Sequence, residues 1–321
     1  MDDAGGDVLG RSRSRRDTGH PASPSVAPTA VMRAKKARER TVELSPIQEE
    51  NVTAVADFLY TNLNDRVPWA QACSTVPWQV QAPNHGFMLR DGQRVVGVLL
   101  ALYSDRIVAG RVERFCNMGS WCVLPAYRTW SLPLLEALLA QEDYHFTVLT
   151  ADVGPQEILA FFGFRHLDTA AVLIPNLPWR PAVPSGTRIT ADPDVIEGTL
   201  TGPVLELYHD HEHALAARHL VLIRGPESCY VMYRESEYRN KPVAMILHVS
   251  NPELFHRALA PLTRHLLVRR RLVATTAELR IIQRKPRLSF TLNSWPRMYR
   301  SAVLAPAQID YLYSELTCVP W

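Results

Sequence analysis

The stretch Ser120-Trp-Cys-Val-Leu-Pro125-Ala-Tyr-Arg-Thr-Trp-Ser131-Leu-Pro133-Leu-Leu135 changes character twice. Through Val123 it is apolar and strand-like, and residues 125–133 read as a loop. From there to about residue 141, Leu134, Leu135, Leu138 and Leu139 recur on one helical face. Pro133 suits the first helical turn, where its missing N–H has no partner to lose. A strand that ends in a loop and feeds a helix brings unpaired backbone amides and the positive end of the helix dipole to one spot. Such an arrangement binds phosphates. Arg128 adds a planar charged fork beside it.

Upstream, residues 41–45 read as a strand and 46–64 as a helix with Val52, Val55, Ala56, Phe58 and Leu59 at helical spacing. A short helical or irregular piece covers 67–75. Strands at 86–90 and 94–103 flank Asp91-Gly92, a hairpin dipeptide, and a long strand runs over 108–123. Downstream come a strand at 146–151, a helix at 155–162 with Gly163 just past its end, and a strand at 164–174. This order implies an α/β (α+β) fold, a mixed central sheet flanked by helices on both faces.

Residues 175–184 carry four prolines and read as a linker. Beyond it we expect a helix at 203–213, strands at 220–223, 229–234 and 243–249, a helix at 252–269, a strand at 272–282 and a helix at 307–316. Strand-strand-helix-strand repeats the order of the first half, a weak internal duplication. The expected organisation is a basic arm (1–40), a first domain (41–175), a Pro-rich linker (176–184) and a second domain (185–321).

The sequence Val123-Leu-Pro125-Ala-Tyr127-Arg128 resembles the signature of the GNAT superfamily of acyl-CoA-dependent N-acetyltransferases, Val-x-Pro-x-Tyr-Arg before a phosphate loop and a Leu-rich helix. Ile158-Leu-Ala-Phe-Phe-Gly163-Phe164 resembles the family's later helix ending in Gly-Phe. The resemblance covers about 41–175 and implies an acyl-CoA N-acyltransferase-like fold, with the second half a degenerate tandem copy. It also implies acetyl-CoA or another acyl-CoA as co-substrate, with Trp121, Val123, Tyr127, Arg128, Thr129, Trp130 and Ser131 binding it. The family's two loop glycines are Ser131 and Pro133 here, and proline donates no amide. The tyrosine often used as general acid falls on Leu159.

On this resemblance an amine attacks the thioester directly in a ternary complex, and a base on the long strand takes its proton. Alternation puts Glu113, Asn117, Trp121 and Val123 on one face unless a bulge intervenes. Glu113 and Asn117 are therefore the catalytic candidates, Glu113 being the only carboxylate on that strand; pairing with Arg111 or Arg114 is its structural alternative. The acceptor is a small-molecule or peptide amine, with Arg66, Trp69 and Trp78 as a candidate wall. The alternative function is a catalytically silent acyl-CoA sensor or scaffold.

Composition bounds these readings. The chain has 321 residues, 47% hydrophobic and 21% charged, which suits two globular domains. Residues 1–40 carry a local +4 of the net +3, leaving the remainder at −1, so nucleic acid is not an expected partner. The longest apolar run is too short for a membrane span, and the first thirty residues hold no signal-like apolar core. Five scattered cysteines then read as reduced thiols in a cytoplasmic protein. His209, His211 and His213 do not share a helical face, and no third ligand joins His209 and His213, so no metal is expected. Trp179, Trp295 and Trp321 read as packing anchors. Between the strand at 243–249 and the following helix lie only Ser250-Asn251, enough for a cap and too few for a pyrophosphate cradle. One coenzyme per chain is expected.

Overall fold

Alternating apolar runs give the strands, and leucine-rich stretches at 3.6 spacing give the helices. The computed structural model describes residues 42–150, 155–178, 186–292 and 295–321. The expected arm, most of the linker, Ala151 and Trp179 lie outside the described residues. The first half holds β1 (Val42–Pro46), α1 (Val52–Asn62), α2 (Trp69–Ser74), β2 (Gly86–Asp91), β3 (Arg94–Val108) and β4 (Arg111–Val123). It continues with α3 (Ser131–Leu139), β5 (His145–Val148), α4 (Gln156–Phe161), β6 (Arg165–His166) and β7 (Ala171–Pro175). The second half holds β8 (Arg188–Thr190), α5 (Pro193–Thr199), α6 (Pro203–His211), β9 (Arg218–Arg224), β10 (Glu227–Tyr238) and β11 (Lys241–Val249). It ends with α7 (Pro252–Arg257), α8 (Leu259–Arg270), β12 (Ala274–Glu278), α9 (Leu279–Ile282), β13 (Phe290–Leu292), β14 (Met298–Arg300) and α10 (Glu315–Cys318).

Two mixed sheets result. One has the order β1-β2-β3-β4-β5-β14-β6 and the other β13-β7-β12-β11-β10-β9-β8. Read from opposite ends they correspond: an antiparallel run of four strands, one parallel neighbour (β4 with β5, β11 with β12), then two antiparallel strands. The duplication is therefore in the fold. The strands also cross over. β7, from the first half, pairs with β12 in the second sheet, and β14, from the second half, pairs with β5 in the first.

This exchange explains the main departure from expectation near the proposed boundary at residue 175. The strand expected over 164–174 is two strands in two sheets, broken where Asp168 Oδ1 accepts from Ala170 N at 3.1 Å. The helix expected over 252–269 is two, because Pro261 cannot donate to the carbonyl four residues back; it sits instead in the first turn of α8. The helix expected over 307–316 is only a 3-10 turn and the short α10, with Tyr313 at φ +55° between them. β3 runs past residue 103 because Ala109 and Gly110, both at positive φ, make a further hairpin turn. The linking pair Ser250-Asn251 does act as a cap, Asn251 Oδ1 accepting from Leu254 N at 3.0 Å.

Leu254, Leu262 and Leu266 cover their own sheet. The shared core is elsewhere. Phe115 and Leu149 pack in one cluster with Tyr208, Tyr230, Met232, Tyr311 and Leu316. No helix among the described residues is long and apolar enough to cross a membrane.

A fragment ending near residue 178 would lose β14 from beside β5, carry β7 without its sheet and expose Phe115 and Leu149. Residues 42–178 alone should aggregate and show no cooperative thermal transition, where the full chain melts cooperatively. A sharp melt of the fragment would show that the halves fold independently.

Candidate functional site

β4 and β5 pair in parallel only through Phe115–His145, Cys116–Phe146 and Asn117–Thr147. Past that point they part, and a cavity of about 330 Å³ opens between Met118, Gly119, Ser120 and Trp121 on one side and Val148, Thr150 and Leu159 on the other. β4 bulges at the same place. Leu99 pairs with Trp121 but Leu100 with Gly119, which leaves Ser120 as an extra residue at φ +41°.

An extra residue flips every side chain beyond it. Asn117 and Gly119 face residue 315, whereas Trp121 and Val123 pack with α3 on the opposite face. The expectation that Glu113, Asn117, Trp121 and Val123 share one face fails for this reason.

Asn117 is 2% exposed and bonded on both sides. Its Nδ2 donates to Thr147 Oγ1 at 3.0 Å, and its Oδ1 accepts from Glu315 N at 2.8 Å. It acts as a tie between strand and α10. Glu315, fully buried, lies against the bulge. Its Oε1 accepts from Thr150 Oγ1 at 2.5 Å. Its Oε2 would lie 2.6 Å from a Cβ on Gly119, so any side chain there would push the carboxylate out of this position. Burial pushes the Glu315 carboxyl up to about 7; the Thr150 hydroxyl, Arg234, Arg297 and the Ser120 backbone pull the other way.

Three buried polar atoms here have no hydrogen-bond partner among the described residues: Ser120 Oγ, Trp121 Nε1 and Glu315 Oε2. Each such atom costs roughly 1–3 kcal/mol if left unpaired. Ser120 and Trp121 line the opening, and Glu315 touches Gly119 and Thr150, which also line it. The set fits a guest with polar groups of its own, as the amide-bearing arm and thioester of an acyl-CoA have.

The loop beyond β4 is less open than its sequence suggests. Residues Pro125–Trp130 wind into a 3-10 turn, with Tyr127 N donating to Leu124 O at 2.8 Å and Ser131 N to Arg128 O. Two amides are thereby used within the turn, and Pro133 offers none. Tyr127 is buried, and its hydroxyl donates to Asp91 Oδ2 at 2.6 Å, which fastens the turn to the β2–β3 hairpin. Arg128 and Thr129 are exposed; Trp130 and Ser131 are half-buried at the start of α3, which no side chain caps. Arg128, Thr129 and Ser131 are the members of the expected set still placed at this end for an anionic group.

Other expected residues lie elsewhere. Glu113 sits six positions before Gly119, roughly 20 Å along the strand, and its Oε2 is 2.9 Å from His145 Nε2. It is a paired residue away from the opening, and Arg111 and Arg114 are not its partners. Trp69 and Trp78 belong to the core; Trp78 Nε1 donates to the Tyr103 carbonyl at 2.8 Å and its ring meets His211 and Tyr313. Trp78 also borders a cavity of about 320 Å³ beside Tyr103, and Arg66 lines a different one. The histidine tract is dispersed. His209 lies 3.1 Å from Glu197, and buried His211 uses both ring nitrogens, on Leu207 O and Tyr313 N. Cys116 is buried, which pushes its thiol up and leaves it inert.

Glu315 escaped the sequence reading because its contact with Asn117 spans 198 positions. Locally Ser314-Glu-Leu-Thr317 shows only a helix start, with Ser314 Oγ accepting from Leu316 N.

No family model and no curated protein matches the chain. Solved structures do. A GCN5-related N-acetyltransferase from Anabaena variabilis superposes with a TM-score of 0.55 at 11% identity, over 81% of this chain and 72% of that one. Another from Kribbella flavida superposes with a TM-score of 0.50 at 12% identity, over 81% of this chain and 71% of that one. At such identities the likeness is one of backbone, and it agrees with the parted β4 and β5 and with the two corresponding sheets: the chain has a two-domain GNAT fold, that of the acyl-CoA N-acyltransferases.

Proposed function

We propose that the chain is an acyltransferase that moves an acetyl or similar acyl group from acyl-CoA to an amine. The observation that carries this reading is the parting of β4 and β5 at a bulge whose surroundings hold three buried polar atoms without partners. The acyl-CoA supplies an activated thioester carbonyl. Arg128, Thr129 and Ser131 hold its phosphate end, and the walls formed by Met118, Ser120, Trp121 and Leu159 hold its arm.

The amine nitrogen attacks the carbonyl carbon; the C–N bond forms, the C–S bond breaks, and the sulfur leaves as the coenzyme A thiol. Glu315 takes the place first given to Glu113. Thr150 Oγ1 holds one carboxylate oxygen, and Oε2 is left to accept the amine proton. A carboxyl raised to about 7 is suited to proton exchange near neutrality. Ser120 Oγ and Trp121 Nε1 are the buried donors at hand for the carbonyl oxygen or the departing sulfur.

A second reading, a silent acyl-CoA sensor, is favoured by the wound Pro125–Trp130 turn, by Pro133 and by Leu159 in the place of a tyrosine. Both readings need the coenzyme; only the first needs Glu315.

Acetyl-CoA at a hundred times its dissociation constant should raise stability by about 2.7 kcal/mol. Arg128→Ala and Ser131→Ala should weaken that thermal shift. No shift at millimolar acetyl-CoA sinks both readings.

Glu315→Gln should lower thiol release from acetyl-CoA with amines by about 10²–10⁴-fold while leaving coenzyme binding in place. In the wild type, activity should rise with pH through about 7 as the base ionises. Full activity of the glutamine variant would mean that another group takes the amine proton, and no thiol release by the wild type would leave the sensor reading.

Stability gives a separate check on Glu315. Its folded value is raised, so the folded chain keeps a proton that the unfolded chain releases, and stability falls as pH rises from the ordinary 4.5 to about 7. Buried His211 and His219, lowered by burial to about 3 and about 4, act oppositely, so the comparison isolates Glu315. The Tm of wild type minus that of Glu315→Gln should drop across this window and level off above it. A constant difference would show that Glu315 is ionised throughout.

A further inference from the structure

Between the two sheets lies a second cavity, about 730 Å³, which shares Thr150 and Trp321 with the opening beside β4. Its wall carries two buried guanidinium groups, Arg234 (4% exposed) and Arg297 (3% exposed), with exposed Arg66 at its edge. Arg234 donates only to neutral acceptors, the carbonyls of Leu316 and Val319 at 3.2 and 3.3 Å. Burial lowers it to about 10, so it stays cationic at neutral pH. Arg297 Nε lies 3.1 Å from Glu278 Oε1, while its Nη1 is buried without a hydrogen-bond partner among the described residues.

The carboxylates nearby meet only part of this charge. Glu278 is shared by Arg297, Arg280 and the Tyr311 hydroxyl, and Glu235 is bound by Arg270 Nε at 3.0 Å. Glu315, held by Thr150, is near enough to feel both Arg234 and Arg297 but makes no hydrogen bond to either, and Glu237 is the acid left on the cavity wall. Arg234 still has only carbonyls as hydrogen-bond acceptors and Arg297 Nη1 has none among the described residues, so two buried cations keep donor capacity that an anion in the cavity would take up. Arg234 binds the carbonyl of Leu316, the residue next to Glu315, so the cationic wall adjoins the position given to the base.

We infer, resting on the acyl-transfer reading, that the acceptor carries a carboxylate or phosphate within a few bonds of its amine, and that Arg234, Arg297 and Arg66 bind this group in the cavity between the sheets. The anion sets the acceptor's orientation: it sits on the guanidinium wall while the nitrogen reaches past Thr150 to Glu315 and the thioester. Amines without an anionic group lack this hold.

The test uses matched probes on the full chain: β-alanine against propylamine, and O-phosphoethanolamine against ethanolamine. Each is titrated by thermal shift without donor, and then assayed by thiol release with acetyl-CoA. The anionic member of at least one pair should bind, and react, about tenfold better, a difference of about 1.4 kcal/mol. Arg66→Gln and Arg297→Lys should reduce that preference, the latter because an ammonium loses the planar fork. Which pair shows the preference tells carboxylate from phosphate. Equal binding by both members of both pairs in the wild type overturns the inference, whatever the variants do. If acetyl-CoA itself gives neither shift nor thiol release, the acyl-transfer reading fails while the donor-free titration still decides whether the anion site exists.

Discussion

The side chain of Asn117 holds the structure at the point where it would otherwise come apart. β4 and β5 separate there around a cavity, and separation leaves backbone groups of two central strands unsupported. Asn117 bonds Thr147 on one side and the Glu315 amide on the other, so the last paired position of one sheet is also the anchor of α10. Gly119, two positions on, then gives the Glu315 carboxylate room against the strand. A cleft between strands is thus closed from behind by a segment nearly two hundred positions away.

That anchor works only because the two halves are woven together. β7 and β14 change places between the sheets, so neither sheet is complete without the other half. The exchange carries the chain back across the first sheet and brings residues 311–319 into the cores of both: Tyr311 and Leu316 join the shared cluster, and Cys318 and Val319 pack under α1 and α2. A carboxylate delivered this way is buried on every side, which is why its proton affinity rises so far above that of a surface glutamate.

The two halves share a backbone plan but not a chemistry. In the first, a bulge and a widening gap follow the parallel pair; in the second, Asn251 caps α7 directly after β11 and leucines fill the space behind it. What the second half adds to the site is charge. Arg234 and Arg297 bring cations to the cavity beside the cleft. On the proposed function, the division between the halves follows from which junction is long enough to be open.

The sequence alone determined the local elements and the kind of fold. Val-x-Pro-x-Tyr-Arg at 123–128, leucines at helical spacing and hairpin dipeptides are short-range signals, because strand, turn and helix preferences act over a few residues. The cap at Asn251 and the duplication were legible for the same reason. The sequence could not turn Trp121 and Val123 away from Asn117, since one extra residue at Ser120 reverses the side chains beyond it, and no local pattern announces a bulge. It could not show that the motif's Tyr127 is spent on Asp91, or that Trp78 is core, since both depend on partners from other strands. Nor could it bring Glu315 to Asn117, or β14 to β5. Those contacts close loops of more than a hundred residues and form only when apolar faces from both halves have somewhere to be buried. The tertiary structure decided them.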